Sequence, residues 1–322
     1  MTGDGDGAVA VGREWDVVVV GGGPAGMTAA LYLGRSRRRV LVVDEGEPRH
    51  AVSAGVHNFL TREGVAPAEL RRIAWEQLAV YPGVERLAGR VADLRWMGHD
   101  GAGPHEAPLE GSGPRWEVTV DGGDTLRARA VVLATGVVDE HPEIVGYGER
   151  WGTSIHHCPF CHGYESRDLP LAVLVDPAMG FHLPLMLRGW TDDVVVLTNG
   201  RACDDEQRRE LARGGLMVHE APVVELRGPG AKLEEIVLGD GTTLRRQGLF
   251  VAGSQRMPEL VQRVGPALTE QGYVAVDMMQ KTNLPMLWAA GDLTSRYQQV
   301  VEASAQGARA GAMIQATFVM AG

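Results

Sequence analysis

Gly21-Gly22-Gly23-Pro24-Ala25-Gly26 decides the fold of the first part of the chain. The stretch fits Gly-x-Gly-x-x-Gly, in which each glycine has its own physical task. Gly21 permits a tight turn, Gly23 lets the backbone approach a pyrophosphate, and Gly26 lets a helix pack close to a strand. The loop is therefore a candidate pyrophosphate cradle at the N-terminus of a helix.

The residues on both sides of the loop supply the context that this motif needs. An apolar run over 14–20 precedes the loop, a helical pattern covers 25–37, and a second apolar run covers 39–44. Asp44 and Glu45 follow the last glycine of the loop by 18 and 19 positions, where one of them is expected to accept ribose hydroxyls. This order favours a dinucleotide-binding strand-loop-helix-strand unit over a purely structural glycine turn.

A second strand-helix-strand pattern spans 171–197, and the chain ends in a long helical pattern over 300–318. We therefore predict the α/β class, with two Rossmann-like domains of three layers (ββα). One domain is discontinuous and the other is inserted into it. The predicted ranges are a disordered tail over 1–12, a discontinuous domain over 13–139 and 249–322, and an inserted domain over 140–248.

Composition and charge restrict the class of function. A length of 322 residues suggests about two domains, and 44% hydrophobic with 22% charged residues is ordinary for a globular protein. The net charge of −10 argues against nucleic acid or an anionic membrane as a partner. No apolar run approaches the roughly 20 residues that span a bilayer. We expect a cytoplasmic enzyme, with a Gly- and Pro-rich hairpin loop over 98–114.

Two of the three cysteines form the pattern Cys158-Pro159-Phe160-Cys161-His162. In such a pair one thiol attacks while the other resolves, and the adjacent imidazole carries a proton near neutral pH. Half of a zinc site is the alternative, but zinc would have to recruit scattered histidines such as His156 and His157, so no metal site is predicted. Cys203 stands in a charged stretch and is interpreted as an exposed bystander.

A further motif, Ala289-Ala290-Gly291-Asp292, lies near the end of the chain. It precedes Gln299 and Val300 and a helical pattern rich in small residues over 303–312. Small residues permit close packing, either against a large ligand or against another helix. The residues alone leave both alternatives open.

Taken together, these motifs resemble the two-domain thioredoxin-reductase family of flavoproteins. The glycine loop, Ala134-Thr135-Gly136, the central Cys-x-x-Cys and the late Ala-Gly-Asp occur in the family's order over about 14–318. The resemblance implies that the discontinuous domain binds FAD, that the inserted domain carries the cysteines and usually NADPH, and that the protein is a homodimer. The residues it assigns to FAD are Gly21, Gly23, Pro24, Ala25, Gly26, Asp44, Glu45, Asn58, Val91, Thr135, Gly136, Asp292, Gln299 and Val300.

The chain departs from ordinary thioredoxin reductases at His162, where these have an aspartate. The variant resembles a branch of small-molecule dithiol oxidases, which close disulfides in gliotoxin, holomycin and romidepsin biosynthesis. By this resemblance Cys158, Cys161 and His162 are catalytic, with His162 as the acid/base. His57 and His157 are the residues expected to line the substrate pocket. A packed loop histidine is the alternative interpretation of His57.

The second departure lies in the inserted domain, where a glycine loop is expected after the strand over 171–175. The sequence there is Asp176-Pro177-Ala178-Met179-Gly180, and it retains one glycine. Arg201 is a single candidate cation where a 2′-phosphate would need a basic cluster. These residues argue against rapid reduction by NADPH. Weak nicotinamide binding through backbone groups is the alternative.

The resulting hypothesis is oxidation of a small-molecule dithiol to its disulfide. The family pattern makes Cys158 the solvent-facing sulfur that the substrate thiolate attacks. It places Cys161 against the flavin, which O₂ then reoxidises. One alternative is a thioredoxin reductase that acts on a thioredoxin-like protein and is fed by NADPH or ferredoxin. Another is a flavin-binding redox sensor without turnover.

Overall fold

The structure, a computed structural model, describes residues 13–98 and 115–320. The predicted tail over 1–12 and nearly all of the predicted loop over 98–114 lie outside the described residues. The strands are β1 (Glu14–Val20), β2 (Val40–Asp44), β3 (Val84–Ala88), β4 (Val91–Trp96), β5 (Trp116–Val120), β6 (Thr125–Leu133), β7 (Val138–Glu140), β8 (Ile155–His156), β9 (Leu171–Leu174), β10 (Val194–Leu197), β11 (Met217–His219), β12 (Val223–Arg227), β13 (Glu235–Leu238), β14 (Thr243–Arg245), β15 (Gly248–Val251), β16 (Ser254–Arg256) and β17 (Leu287–Ala289). The helices are α1 (Pro24–Arg35), α2 (Pro67–Leu78), α3 (Pro159–His162), α4 (His182–Leu187), α5 (Asp205–Arg213), α6 (Glu259–Val264) and α7 (Val300–Met320).

The first compact unit comprises the described residues of 1–49, 68–138 and 257–322. Its sheet has the order β3-β2-β1-β6-β5-β4, and β17 also pairs with β6. The second half of β6 pairs in parallel with β17, whereas its first half pairs antiparallel with β5. The long strand β6 therefore joins a parallel Rossmann-like sheet to an antiparallel layer.

Buried apolar strands make the parallel part of this sheet. All of β2, and β1 from Val17 to Val20, are buried, as expected for parallel strands covered on both faces. The small residues of α7 pack against α1. A Cβ on Gly307 would overlap the carbonyl oxygen of Ala25, and one on Gly311 would lie 2.9 Å from that of Ala29. The small residues of this helix thus serve helix packing.

The second compact unit comprises residues 50–67 and 139–256. Its sheet is parallel throughout, in the order β11-β10-β9-β15-β8. Alternate residues of its strands enter two separate cores, because successive side chains of a strand point to opposite faces. One core includes Leu226 and Ile236 from the antiparallel β12-β13-β14 sheet, and the other includes Leu187 and Leu211, at the end of α4 and in α5. This unit therefore has three layers, and the predicted α/β class is confirmed.

Two features differ from the sequence-based expectation. Residues 50–67 and 249–256 cluster with the second unit, although the pattern assigns them to the discontinuous domain. Within the strand-helix-strand pattern over 171–197, the helical pattern covers 181–190, whereas the helix covers only His182–Leu187. Residues 50–67 join the second unit through contacts of Ser53 and Asn58 with the cysteine-bearing helix, and residues 249–251 join it because β15 pairs with β9 and β8. Among residues 13–98 and 115–320, no helix combines the length and apolar character that a bilayer crossing requires.

Candidate active site

The two cysteines bracket the first turn of the short helix α3. Cys158 is the N-cap residue, and its Sγ accepts the backbone N–H of Cys161 at 3.3 Å. Pro159 occupies the first helical position, where a missing N–H costs nothing and the fixed φ suits the helix. The local sequence thus holds the sulfur of Cys158 at the N–H end of the turn that carries Cys161.

The two cysteines differ in exposure. Cys158 is buried, with 9% of its surface exposed, and Cys161 is half-buried. This differs from the expectation that Cys158 is the solvent-facing sulfur. The physical reason is the helix cap, since a sulfur that accepts a backbone N–H is turned toward the helix and away from solvent.

His162 is held in a buried stack. Its ring lies on that of His156, with centroids 3.9 Å apart and planes inclined by 12°. Its Nε2 lies 3.0 Å from the Oγ of Ser53. Burial lowers the pKa of His162 to about 4, with a further lowering from His57 and an opposing effect of Glu165. His162 is therefore a neutral imidazole at pH 7, and a neutral imidazole accepts protons.

His156 lies in the same stack and is more deeply buried than His162. Burial is the main reason that its pKa falls to about 3, and the neighbouring His162 and His157 lower it further. Phe250 lies on its other side, with ring centroids 5.5 Å apart. The pair of stacked imidazoles is thus uncharged over the whole neutral range.

This burial makes the folding stability depend on pH. Both histidines keep their ordinary pKa near 6.5 when unfolded, so between about pH 6.5 and 4 the unfolded chain binds protons that the folded chain excludes. The free energy of unfolding should fall as the pH falls, by up to about 1.4 kcal/mol per pH unit for each histidine. His156→Phe should remove about half of this slope in urea unfolding between pH 6.5 and 4.5. The exposed His182→Phe is the control, and a wild-type slope in His156→Phe would contradict the assignment.

His57 lies beside this stack, and its role in a substrate pocket stays a prediction. Its ring meets that of His162 edge-on, with centroids 6.5 Å apart. Its Nδ1 lies 2.7 Å from the carboxylate of Glu63, and its Nε2 lies 3.6 Å from that of Glu165. The hydrogen bond from His57 lowers the pKa of Glu63. His157 instead stacks on Trp151, at 6.0 Å between centroids.

Asn58 also reaches the cysteine helix. Its Nδ2 donates to the carbonyl oxygen of Phe160 at 2.7 Å, and its backbone N–H donates to Glu63 at 2.8 Å. The resemblance assigns Asn58 to FAD, and that role stays a prediction. Ser53 and Glu63 are residues that sequence reasoning missed. They lie about a hundred positions from the cysteines, with no spacing that would have indicated them.

The glycine loop of the first unit has the shape of a phosphate cradle. Gly21 has φ +106°, and a Cβ there would overlap the carbonyl oxygen of Ala134. A Cβ on Gly26 would overlap the carbonyl oxygen of Gly21. A Cβ on Gly23 would meet nothing within 4 Å, so its backbone faces open space at the N-terminus of α1. Because the first turn holds no acidic residue and Gly23 provides no side-chain cap, these N–H groups suit a pyrophosphate.

The acidic residues after β2 have different surroundings. Asp44 accepts the backbone N–H of Gly22 at 2.9 Å, and its other oxygen pairs with Arg71. Glu45 is exposed and lies 3.6 Å from Arg90. Asp44 therefore holds the glycine loop directly, and it keeps lone pairs for a ribose hydroxyl. Arg71 carries no sequence signal and was missed.

The remaining predicted cofactor residues lie at four places in the first unit. Thr135 and Gly136 follow β6, and Gly136 has φ +67° with open space beside it. Asp292 pairs with Arg49, a residue that was also missed, at 3.1 Å. Gln299 and Val300 stand at the start of α7, and Val91 is buried in β4. Their contacts with FAD stay predictions.

The loop after β9 in the second unit contains a carboxylate that bonds to its own backbone and to an arginine. Asp176 accepts the backbone N–H of Ala178 at 3.0 Å and pairs with Arg201, the one candidate cation that the sequence offered. Gln207 donates to the carbonyl oxygen of Pro177 at 3.0 Å. A carboxylate thus occupies the position where a nucleotide-binding loop presents N–H groups to phosphate. A carboxylate at this position disfavours a pyrophosphate, and the doubt about NADPH stays a prediction.

The expectation that Cys203 is exposed is wrong. Only 6% of its surface is accessible, and it packs in the core with Phe181 and Leu211. Burial raises the pKa of its thiol. The charged sequence around it is misleading because the charges lie on the outer face of α5. In the described part of the chain, no group of three or more His, Cys, Asp or Glu side chains is arranged to hold a metal ion.

The chain matches the family described as "Pyridine nucleotide-disulphide oxidoreductase" over residues 15–307. It is 28% identical over 318 residues to thioredoxin reductase sirT of Leptosphaeria maculans, with 92% of each chain covered. It is 30% identical over 292 residues to thioredoxin reductase aclD of Aspergillus oryzae, with 86% of this chain and 88% of that protein covered. The crystal structure of HlmI is similar to it with a TM-score of 0.87 and 35% identity, over 96% of this chain and 93% of that one. The chain therefore belongs to the pyridine nucleotide-disulphide oxidoreductase family, as a thioredoxin-reductase-like flavoprotein enzyme whose cofactor is FAD.

Proposed function

We propose that this enzyme oxidises a small-molecule dithiol to its disulfide, with Cys158 and Cys161 as the redox pair and O₂ as the final oxidant. The observation that carries the proposal is the neutral, buried His162 directly after the second cysteine. Its place beside the cysteine pair lets the lone pair of the unprotonated imidazole receive a thiol proton, and a Cys161 thiolate formed next to it would raise the low pKa of His162 toward the operating pH. Oxidation of a dithiol releases two protons, so a proton acceptor is what this direction of the reaction requires.

The sulfur chemistry proceeds in two exchanges. A substrate thiolate attacks Sγ of Cys158 in the Cys158–Cys161 disulfide, forming a mixed disulfide and releasing the Cys161 thiolate. The second substrate thiolate then attacks the substrate sulfur of the mixed disulfide, closing the product disulfide and releasing the Cys158 thiolate. The backbone N–H of Cys161 supports this order, because it donates to the sulfur that leaves in the second exchange. His162 accepts the proton of one incoming thiol at a time and passes the first proton on before it accepts the second, and the formation of hydrogen peroxide from O₂ consumes both.

FAD fits the residues of the first unit. The open backbone at Gly23, the uncapped start of α1 and the turn at Gly136 form a cradle that side chains do not fill. The pyrophosphate would be held by the N–H groups at the start of α1, and the ribose by Asp44. When bound, FAD supplies the two-electron acceptor that returns the cysteine pair to its disulfide, with hydrogen peroxide as the product of O₂.

The proposed reaction has no step that uses NADPH. Asp176 places a negative charge at the loop where the nicotinamide nucleotide would bind. Its ion pair with Arg201 also neutralises the one candidate cation there. A pyrophosphate brought to this loop would have to compete with the Asp176 carboxylate for Arg201. The Asp176–Arg201 pair thus supports oxidation over reduction driven by NADPH as the direction of the reaction.

An anaerobic titration tests the proposal. We expect dithiothreitol to bleach the oxidised flavin within a stoichiometric titration, whereas an equal concentration of NADPH leaves it oxidised. After air is admitted, O₂ uptake and hydrogen peroxide should match the dithiol consumed, one for one. Rapid bleaching by NADPH, together with NADPH-dependent reduction of thioredoxin, would refute the proposal.

A thioredoxin reductase is the second candidate, because relatives carry that name and because Phe160 and Tyr164 expose aromatic surface beside the cysteines. A thioredoxin-like protein would then replace the small molecule, and ferredoxin would be the electron donor that this chain's residues allow. A homodimer in the cytoplasm is proposed for either function. Measurement of the solution mass tests the dimer.

A further inference from the structure

Ser53 stands at the point where the segment 50–67 meets His162. Its Oγ donates to the carbonyl oxygen of Gly55 at 2.8 Å and lies 3.0 Å from Nε2 of His162. A serine hydroxyl has one proton, and a carbonyl oxygen accepts but never donates. The proton of Ser53 is therefore committed to Gly55. The contact with His162 requires that Nε2 carries a proton and donates it.

This assignment determines the other nitrogen of the ring. A neutral imidazole protonated at Nε2 has a lone pair at Nδ1. Nδ1 of His162 is buried and has no hydrogen-bond partner among residues 13–98 and 115–320. A buried acceptor without a partner is costly in a purely structural residue. An acceptor without a partner is expected in a residue that receives a proton from the substrate.

The position of Ser53 is itself determined by the fold. A Cβ on Gly152, which has φ +82°, would lie 2.8 Å from the carbonyl oxygen of Val52, so this glycine lets the segment approach closely. Asn58 ties the same segment to the carbonyl oxygen of Phe160. The contacts of Val52, before Ser53 in the chain, and of Asn58, after it, thus hold the hydroxyl of Ser53 against His162.

The groups that face His162 agree with a neutral ring of one tautomer. His156 stacks on it, His57 meets it edge-on, and Glu165 acts on it electrostatically. Glu63 is engaged by His57. No carboxylate accepts a hydrogen bond from Nδ1 in the described residues, so Ser53 is the side chain that selects the tautomer.

We propose that Ser53 is a positioning residue that holds the proton of neutral His162 on Nε2 and leaves Nδ1 as the proton acceptor of the site. The use of that acceptor for substrate thiols rests on the dithiol-oxidase function proposed above. The tautomer itself does not depend on it.

The test uses the FAD-loaded enzyme with Ser53→Ala and Ser53→Thr. Ring ¹⁵N shifts at pH 7, with His162→Gln to assign the signals, should show pyridine-type Nδ1 and pyrrole-type Nε2 in the wild type and in Ser53→Thr. Ser53→Ala should shift both signals toward their mean. Its anaerobic flavin reduction by dithiothreitol should be about fivefold slower, the factor equivalent to the ~1 kcal/mol of one neutral hydrogen bond. Ser53→Thr should restore the rate.

Ser36→Ala is the matched control, because the hydroxyl of Ser36 likewise donates to a main-chain carbonyl, that of Tyr32. Pyrrole-type Nδ1 in the wild type overturns the proposal, as does a Ser53→Ala enzyme with wild-type shifts and rate. If Ser53→Ala fails to fold, the wild-type and Ser53→Thr shifts still decide the tautomer. If dithiothreitol leaves the wild-type flavin oxidised while His162 shows the expected shifts, the dithiol-oxidase function fails and the tautomer assignment stands.

Discussion

Replacement of Cys161 by serine is expected to lower dithiol-dependent O₂ uptake by at least about 10³-fold, on the scale of losing a covalent nucleophile. Without its sulfur the enzyme disulfide cannot form, so an incoming thiolate finds no sulfur to attack. Cys158→Ser should have the same effect. FAD should stay bound in both variants, because the glycine cradle lies in a different compact unit of the chain. Flavin absorbance measures the bound FAD, and O₂ uptake measures the dithiol-dependent turnover.

The two serine variants also decide which sulfur carries the mixed disulfide. The reduced Cys161→Ser enzyme should form an adduct with 5,5′-dithiobis(2-nitrobenzoate) at Cys158, and Cys158→Ser should form less at Cys161. Cys203→Ala is the control, since this buried thiol should affect neither reaction. Adduct formation confined to Cys161 would reverse the proposed order and would agree with its greater exposure. Wild-type turnover in either serine variant would refute the redox pair.

Replacement of Gly23 by valine should yield a folded protein without flavin. The backbone of Gly23 is extended, with φ −79°, and its Cβ would meet no protein atom within 4 Å. The added side chain therefore projects into the space reserved for the pyrophosphate. We expect FAD affinity to fall by at least about 100-fold, or about 2.8 kcal/mol. The apoprotein should unfold at the same urea concentration as the wild-type apoprotein.

Valine substitutions at two other glycines serve as comparisons for Gly23→Val. Gly148→Val adds the same side chain at an exposed position with open space, and it should retain flavin. Gly26→Val should instead lower the stability of the apoprotein, because its Cβ would overlap the carbonyl oxygen of Gly21. Full flavin occupancy in Gly23→Val would contradict the assignment of the cradle.

The elements that follow a local pattern agree closely with the structure. The apolar run over 14–20 is a strand with those bounds, and the glycine loop leads directly into α1. The cysteine helix begins at Pro159, as a proline at the first helical position would suggest. Each of these features depends on residues within a few positions of one another. The expected length of α4 and the exposure of Cys203 were wrong, because both depend on packing partners distant in sequence.

The sequence by itself determined the α/β class, the dinucleotide loop, the cysteine pair and its adjacent histidine, since strand periodicity, turn glycines and motif spacing are short-range properties of the chain. Only the tertiary structure decided that the segment 50–67 joins the cysteine helix and that His162 stacks on His156. It also decided that the small residues of α7 face α1, and that Asp176 pairs with Arg201. Burial, close packing and the pKa of an imidazole depend on which side chains meet in space, and no local pattern records which of them meet.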